Sequence, residues 1–325
     1  MQLSVTRECW PLRRSFAIAR GSRTEARVLT VTLEDAGIVG HGEALPYARY
    51  GESPEASQAD LEALLPAAQA GFDRVAAQGL LPPGAARNAL DCALWDLEAK
   101  RTGKRAWQLA GLDPLQTVTT AYTLSLDSPA KMAAAAAENA WRPLLKLKLA
   151  GPEDLARVAA VRSAAPESRL IVDANEGWDI DTYRTLAPQI AAMGVALVEQ
   201  PLPAQADEAL RGEARPLPLC ADESCHDRTG LDRLVGLYDC VNIKLDKTGG
   251  LTEALALKAA AKAAGLAIMV GCMVATSLAM APAVLLAQGA AFVDLDGPLL
   301  LAQDRVPGLT FEGSKILPPP AALWG

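Results

Sequence analysis

Eight short apolar runs recur along residues 115–300, and most of them end on a charged residue. They are 117–123, 144–149, 170–173, 195–199, 217–221, 240–244, 267–271 and 291–294, separated by alanine-rich stretches of helical texture. Strand-like runs alternating with helical segments predict repeated βα units, a parallel sheet and, at eight repeats, a closed barrel. The last repeat lacks a clear helix before the proline-rich end at Pro318, Pro319 and Pro320. Ahead of the repeats, 28–33 and 38–43 flank the turn-like Glu34-Asp35-Ala36-Gly37. Helical segments follow near 54–70 and 84–101, the second with Ala89, Leu90, Ala93, Leu94 and Leu97 at helical spacing before Gly103. The expected fold class is α/β: a TIM-like (β/α)-barrel with its last unit modified at 113–300, and an N-terminal α+β capping domain at 1–112 onto which the tail 301–325 packs back.

Charge at the end of one buried strand is punctuation, but on six of eight runs it needs another account. Lys146 and Lys148, Asp173, Glu199, Asp222, Lys244 and Asp294 mark those ends, which converge on one mouth in a parallel barrel. Asp173, Glu199 and Asp222 could not all stay ionised there without a countercharge. A divalent cation resolves this, and all-oxygen ligation suits Mg²⁺ better than Zn²⁺. Helix capping or surface ion pairing explains any one of these acids alone more readily than all three. In Lys146-Leu147-Lys148, the period-two alternation of a strand sends both ammonium groups to the interior. Burial beside a like charge is expected to lower a lysine from about 10.4 toward neutrality, fitting it to act as a base. Lys244, four strands round, faces the mouth from the opposite side, suggesting proton removal on one face and return on the other.

Composition closes off other chemistries. Of 325 residues 50% are apolar and the net charge is −7, with basic residues scattered, which leaves no footprint for nucleic acid. The only histidines, His41 and His226, form no zinc motif, and the six cysteines form no C-x-x-C pair. Cys225 reads as a packing residue and His226 as a loop histidine. Arg7, Glu8, Arg13 and Arg14 interrupt any secretory leader, so a cytoplasmic location is expected. The uncharged stretch 263–293 is punctuated by Gly265, Gly271, Pro282 and Gly289, and reads as a buried strand and helix rather than a membrane span.

Taken together, Lys146-Leu-Lys148, Asp173-Ala-Asn-Glu176, Glu199-Gln-Pro201, Ala221-Asp-Glu-Ser224, Asn242-Ile-Lys-Leu-Asp-Lys-Thr-Gly-Gly250 and Asp294-Leu-Asp296 resemble the enolase superfamily, in its muconate-lactonizing subgroup. The resemblance spans the chain and includes Ala85-Ala-Arg-Asn-Ala-Leu-Asp-Cys-Ala-Leu-Trp-Asp96 in the capping unit. Asp294-x-Asp296 and Arg20-Gly-Ser-Arg23 narrow it to the dipeptide epimerases, notably the L-Ala-D/L-Glu epimerases of bacterial peptidoglycan recycling. It implies a Mg²⁺ enzyme in which Lys148 and Lys244 exchange a Cα proton through an enediolate, Lys146 assists as a nearby charge, and Asp173, Glu199 and Asp222 hold the metal. It further implies that Asp294 and Asp296 hold the α-ammonium of a dipeptide substrate and that Arg23, in an early loop, meets its side-chain carboxylate. Thr123, Cys272 and Val274 are expected to touch substrate, with Asn175 and Glu223 supporting the neighbouring ligands. A lyase of the o-succinylbenzoate synthase or muconate cycloisomerase type would share the metal and lysines but has no ammonium to bind. A lysine Schiff-base enzyme and a non-catalytic binding barrel are the remaining rivals. The preferred dipeptide is left open, as is a homo-oligomer.

Overall fold

A computed structural model describes residues 1–151 and 153–325. Eight parallel strands follow one another in sequence order: Tyr122–Leu124, Leu144–Lys148, Arg169–Asp173, Val195–Glu199, Leu219–Ala221, Cys240–Ile243, Ala267–Gly271 and Phe292–Asp294. The eighth returns to the first through Ala121 N donating to Val293 O (2.8 Å) and Leu295 N donating to Thr120 Oγ1 (2.8 Å). This is the TIM-like barrel the repeats predict. Helices are less regular than the runs: the fourth unit has only a single 3₁₀ turn (Asp207–Leu210), and the eighth only Gly297–Leu300. The run at 117–123 also divides. Val118–Thr119 pairs instead with Lys315–Ile316 of the tail, because Ser314 O takes the Thr120 N–H and draws the chain off the barrel.

Alternation along the strands builds the interior in layers. Leu144, Ile171, Leu197, Cys220, Cys240, Met269 and Phe292, one from each of the second to eighth strands, form with Ala121, just before the first, an apolar cluster at the barrel floor. Their sequence neighbours Tyr122, Leu145, Leu170, Val172, Val198, Ala221, Val241, Ile268, Val270 and Val293 turn outward into the large core under the helices. Two residues above the floor, the same alternation delivers Thr123, Lys146, Asp173, Glu199, Asp222, Asn242, Gly271 and Asp294. Burying each of the larger floor side chains (Leu144, Ile171, Leu197, Met269, Phe292) is worth about 1.5–3 kcal/mol, so the apolar layer stabilises the register that places the charged one.

The capping unit is a three-stranded antiparallel sheet (Gln2–Ile18, Gly21–Asp35, Ile38–Ala44) backed by the helix Ala85–Thr102. Its second hairpin turns on Ala36 and Gly37, both left-handed (φ 51° and 80°), the geometry that matches strand twist. The 17-residue first strand has no counterpart in the sequence reading: Leu3 and Val5 pack on the cap core and Trp10 and Leu12 on the large one, but Arg7, Arg13 and Arg14 break the alternation between and beyond them. Arg23 accordingly sits not in a loop but in the second strand, opposite Phe16 near the hairpin tip. The helix carries its own docking face. Arg87 donates to Thr248 O and Gly249 O, Asn88 to Asp246, and Asp91 accepts from Thr252, all on the segment that follows the sixth barrel strand. At the other end, Trp324 Nε1 donates to Cys92 O and Gly325 N to Asp96, joining the tail to the same helix. No helix among the described residues is long and apolar enough to cross a membrane. Residues 263–293 form the strand Ala267–Gly271 and the helix Ser277–Leu286 instead.

Gly42 lets sheet and helix touch, since a Cβ there would lie 2.1 Å from Ala89 O and 2.6 Å from Ala93 N. Gly42→Ala must therefore push the helix away, at a cost of about 1–3 kcal/mol. Urea unfolding should show the lowered midpoint; a wild-type midpoint would mean the interface yields freely.

Candidate active site

The charged layer sits directly on the apolar floor. Carboxylate oxygens of Asp173, Glu199 and Asp222, all buried, lie within 4.8 Å of one another. Lys146 Nζ stands among them, 2.6 Å from Glu199 Oε2, 2.7 Å from Asp294 Oδ2 and 3.3 Å from Asp173 Oδ2. The Glu199 contact is an ion pair without hydrogen-bond alignment, so that oxygen keeps an unfilled lone pair. One layer up, Lys148 Nζ reaches Asp173 Oδ2 at 2.5 Å and Lys244 Nζ reaches Asp222 Oδ2 at 2.7 Å. Lys244 lies just past its strand, but its extended backbone (φ −117°, ψ 131°) preserves the inward direction. Lys247 completes the set, 2.6 Å from Asp222 Oδ1 and also bound to Asn242 O.

This density of charge separates the acids. Burial pushes each up, but Lys148 and Lys146 more than offset it at Asp173, holding that carboxyl at about 2. Asp222 is held well below the ordinary range by Lys244 and Lys247 against the same burial. Glu199, raised by burial and by Asp173, stands at about 7. At Lys146 the expectation of a lowered amine is corrected: burial lowers it, but Asp294, Glu199 and Asp173 outweigh burial and drive the ammonium well above its usual value. Lys244 goes the same way through Asp222 and Glu199. Like charge between lysines loses to the nearer, more numerous carboxylates.

Backbone strain supports the layer. Asn175 and Glu176, consecutive and left-handed (φ 46° and 65°), turn the chain so that Asn175 N–H donates to Asp173 Oδ1. Gln200, also left-handed, accepts from the N–H groups of Asp222 and Ser224 and donates to Ser224 and Tyr238, stitching the fourth-strand loop to the fifth. Such conformations cost about 1–3 kcal/mol each and persist where surrounding bonds over-determine them. The set fits a hard divalent cation. Three buried carboxylates with oxygens this close together offer the all-oxygen donor set that Mg²⁺ prefers. Asn175 Oδ1 and Glu223 Oε2, buried and unpartnered nearby, offer further oxygen acceptors.

Above the layer lies a cavity of about 440 Å³. Its walls include Thr123, Lys148, Asn175, Asp222, Glu223, Lys244, Cys272, Val274, Asp294 and Asp296 from the barrel and Arg20, Arg23, Tyr47 and Tyr50 from the cap. Lys146, Asp173 and Glu199 lie beneath its floor. Thr123 ties the first strand to the eighth, its N–H donating to Asp296 Oδ2 (2.6 Å) and its hydroxyl to Asp294 Oδ1 (3.3 Å). Asp296, raised by burial and by Asp294, stands at about 7. The Arg23 guanidinium lies 5.2 Å from the Tyr47 ring centre. His226 packs edge-on to Tyr50 and contacts Glu223 O, outside this cavity.

Comparisons with known proteins agree with this geometry. Residues 130–309 match the family model described as enolase C-terminal domain-like, and residues 1–111 match the mandelate racemase / muconate lactonizing enzyme N-terminal domain. The chain belongs to the enolase superfamily. Among relatives of this superfamily, the L-Ala-D/L-Glu epimerase of Escherichia coli K12 is 50% identical over 97% of this chain and 98% of its own. An enolase family member from Agrobacterium tumefaciens, with homology to dipeptide epimerases and solved with sodium and L-Ala-L-Glu, superposes with a TM-score of 0.98 at 55% identity, covering 99% of both chains. The dipeptide epimerase of Enterococcus faecalis, complexed with Mg and L-Leu-L-Tyr, gives 0.90 at 30% identity over 98% of this chain and 96% of that one.

Some residues around the charged layer were not singled out from the sequence. Asn242 donates to Glu199 Oε1 (2.7 Å), and its inward parity with Lys244 was signal enough to find it. Gly271 makes room for it: a Cβ there would fall 2.6 Å from Asn242 Oδ1. Lys247, Gln200, Arg20 and Glu176 act through contacts that no local pattern announces.

Lys146 is the countercharge whose loss is easiest to read. Lys146→Met, with chelator present, should cost about 3 kcal/mol at pH 7, because buried acids lose their partner. The pH slope fixes the cause. In the wild type, Asp173 at about 2 against roughly 3.9 unfolded contributes stability above pH 4 that is lost toward pH 2. In the variant, acids raised above their unfolded values hold protons that the unfolded chain releases, so stability falls between about pH 4 and 7. Unfolding at pH 5 and 7 should show a larger deficit at 7; equal deficits would contradict the electrostatic account.

Proposed function

We propose that this chain is a Mg²⁺-dependent dipeptide epimerase that moves the Cα proton of the C-terminal residue of L-Ala-D/L-Glu or a similar dipeptide. The observation that carries this reading is the placement of Lys148 and Lys244. Their amines rise from the second and sixth strands on opposite sides of one trio of carboxylates, each hydrogen-bonded to a different member. Similarity to enzymes named as dipeptide epimerases supports the same reaction. Residues 1–112 with the tail 301–325 act in this reading as the cap, and 113–300 as the catalytic barrel.

Asp173, Glu199 and Asp222 would hold Mg²⁺, which supplies positive charge against the enediolate developing on the substrate carboxylate. Each lysine needs a free amine at the moment it accepts a proton. With Asp173 and Asp222 holding the ion, the amines of Lys148 and Lys244 that now contact them would be free to face Cα. One removes the proton as a base, and the other returns one to the opposite face as an acid. Lys146 stays beneath them, its charge set against Asp294 and Glu199. Asp294 and Asp296 receive the substrate ammonium, which disfavours the lyase reading, and Arg23 receives the side-chain carboxylate. Thr123 holds the two aspartates in place, Cys272 and Val274 supply apolar wall, and Asn175 and Glu223 steady the metal-side loops. A peptidoglycan-derived dipeptide and a cytoplasmic setting suit this chemistry.

In D₂O with Mg²⁺, wild-type protein should epimerise L-Ala-L-Glu and load deuterium at Cα; chelation should abolish both. Lys148→Ala and Lys244→Ala should each lower turnover by about 10²–10⁴-fold while leaving exchange from one epimer. Exchange unaffected by either substitution would refute the two-lysine assignment. Arg23→Leu should reduce turnover of Ala-Glu more than that of Ala-Leu, and equal losses would remove Arg23 from specificity.

A further inference from the structure

The cap reaches the mouth through two elements, the hairpin tip around Arg20 and the turn Ala48–Tyr50, and both end on one barrel side chain. Glu176, only 8% exposed at its side chain, accepts Arg49 Nε and Arg20 Nη1 at Oε2 (2.8 and 3.1 Å). Its Oε1 accepts Arg49 Nη2 (2.8 Å) and Ala204 N (2.9 Å). Arg20 continues inward, donating to Asn175 O (2.8 Å) and Glu223 Oε1 (2.7 Å). On its far side the tip is bonded through Ala17 to Ser125 and Leu126, beyond the first strand.

An isolated surface ion pair contributes little, but a nearly buried carboxylate with four donors from three chain segments is a different case. The backbone of Glu176 is left-handed, a cost retained here by the contacts its side chain makes. Arg20, Arg23, Arg49 and Tyr50 all line the cavity that the proposed function uses. Holding the first and third of these fixes the roof under which Arg23 and Tyr50 work.

We propose that Glu176 is a positioning residue, the latch that clamps Arg20 and Arg49 of the cap over the barrel mouth and so gates passage of substrate. Its role in substrate passage rests on the epimerase reading, whereas its latching of the cap does not. The latch has no part in moving the proton, so its loss should loosen binding and leave chemistry in place.

Trypsin reads the latch directly, because cleavage after Arg20 requires its guanidinium to leave Glu176 and Glu223. Under native conditions Glu176→Gln and Arg49→Gln should each speed cleavage after Arg20 and Arg23 by about ten-fold with the melting temperature little changed. For L-Ala-L-Glu, KM should rise about ten-fold with kcat within about three-fold, and Glu176→Asp should recover part of both effects. Cleavage rates unchanged in both variants would overturn the latch. Faster cleavage with kcat lost at constant KM would overturn the gating role. If wild-type protein fails to turn over any dipeptide, the functional reading fails, and the protease rates still decide the latch.

Discussion

Opposite charges packed on an apolar floor are the constraint on which this molecule depends. Asp173, Glu199, Asp222 and Asp294 are taken out of water by the barrel, and Lys146, Lys148, Lys244 and Lys247 are set among them at hydrogen-bond distance. Replacing such a cluster with well-packed apolar side chains is often neutral or stabilising for a fold. Its retention at the barrel mouth points to chemistry rather than stability. The layers supply the rigidity: shifting one strand by a single residue would turn its charged and its floor side chain together into the helix core and bring their outward neighbours inside.

The cap is joined to the barrel by polar groups, and those joints cluster near the reactive layer. Arg87, Asn88 and Asp91 grip the segment just after Lys244. Glu43 accepts from Thr276 N–H, the Thr276 hydroxyl and Arg305, linking the third cap strand to the segment beyond the seventh barrel strand. Cap and barrel thus share one hydrogen-bonded seam that runs up to Glu176.

Much of the fold and the reactive layer was legible in sequence because both obey one rule, the period-two alternation of a buried strand. Asp173, Glu199 and Asp222 could be placed together from the ends of their runs, and Lys146 and Lys148 from their shared parity. Where the rule does not operate, sequence was silent. The first cap strand alternates only in short pieces, interrupted by Arg7, Arg13 and Arg14. The short fourth and fifth units lack long helices to mark them. Arg20 and Glu176 are 156 residues apart, and nothing local foretells their pairing. The direction of the Lys146 shift was missed for another reason. Proximity to Lys148 shows in sequence, whereas proximity to Asp294, which decides the sign, appears only once the barrel closes.

The most direct test is a crystal structure with Mg²⁺ and L-Ala-L-Glu bound. The account predicts one ion ligated by Asp173, Glu199 and Asp222, with the substrate Cα about 3–3.5 Å from both Lys148 Nζ and Lys244 Nζ on opposite faces. An ion held elsewhere, or both amines on the same face of Cα, would contradict it.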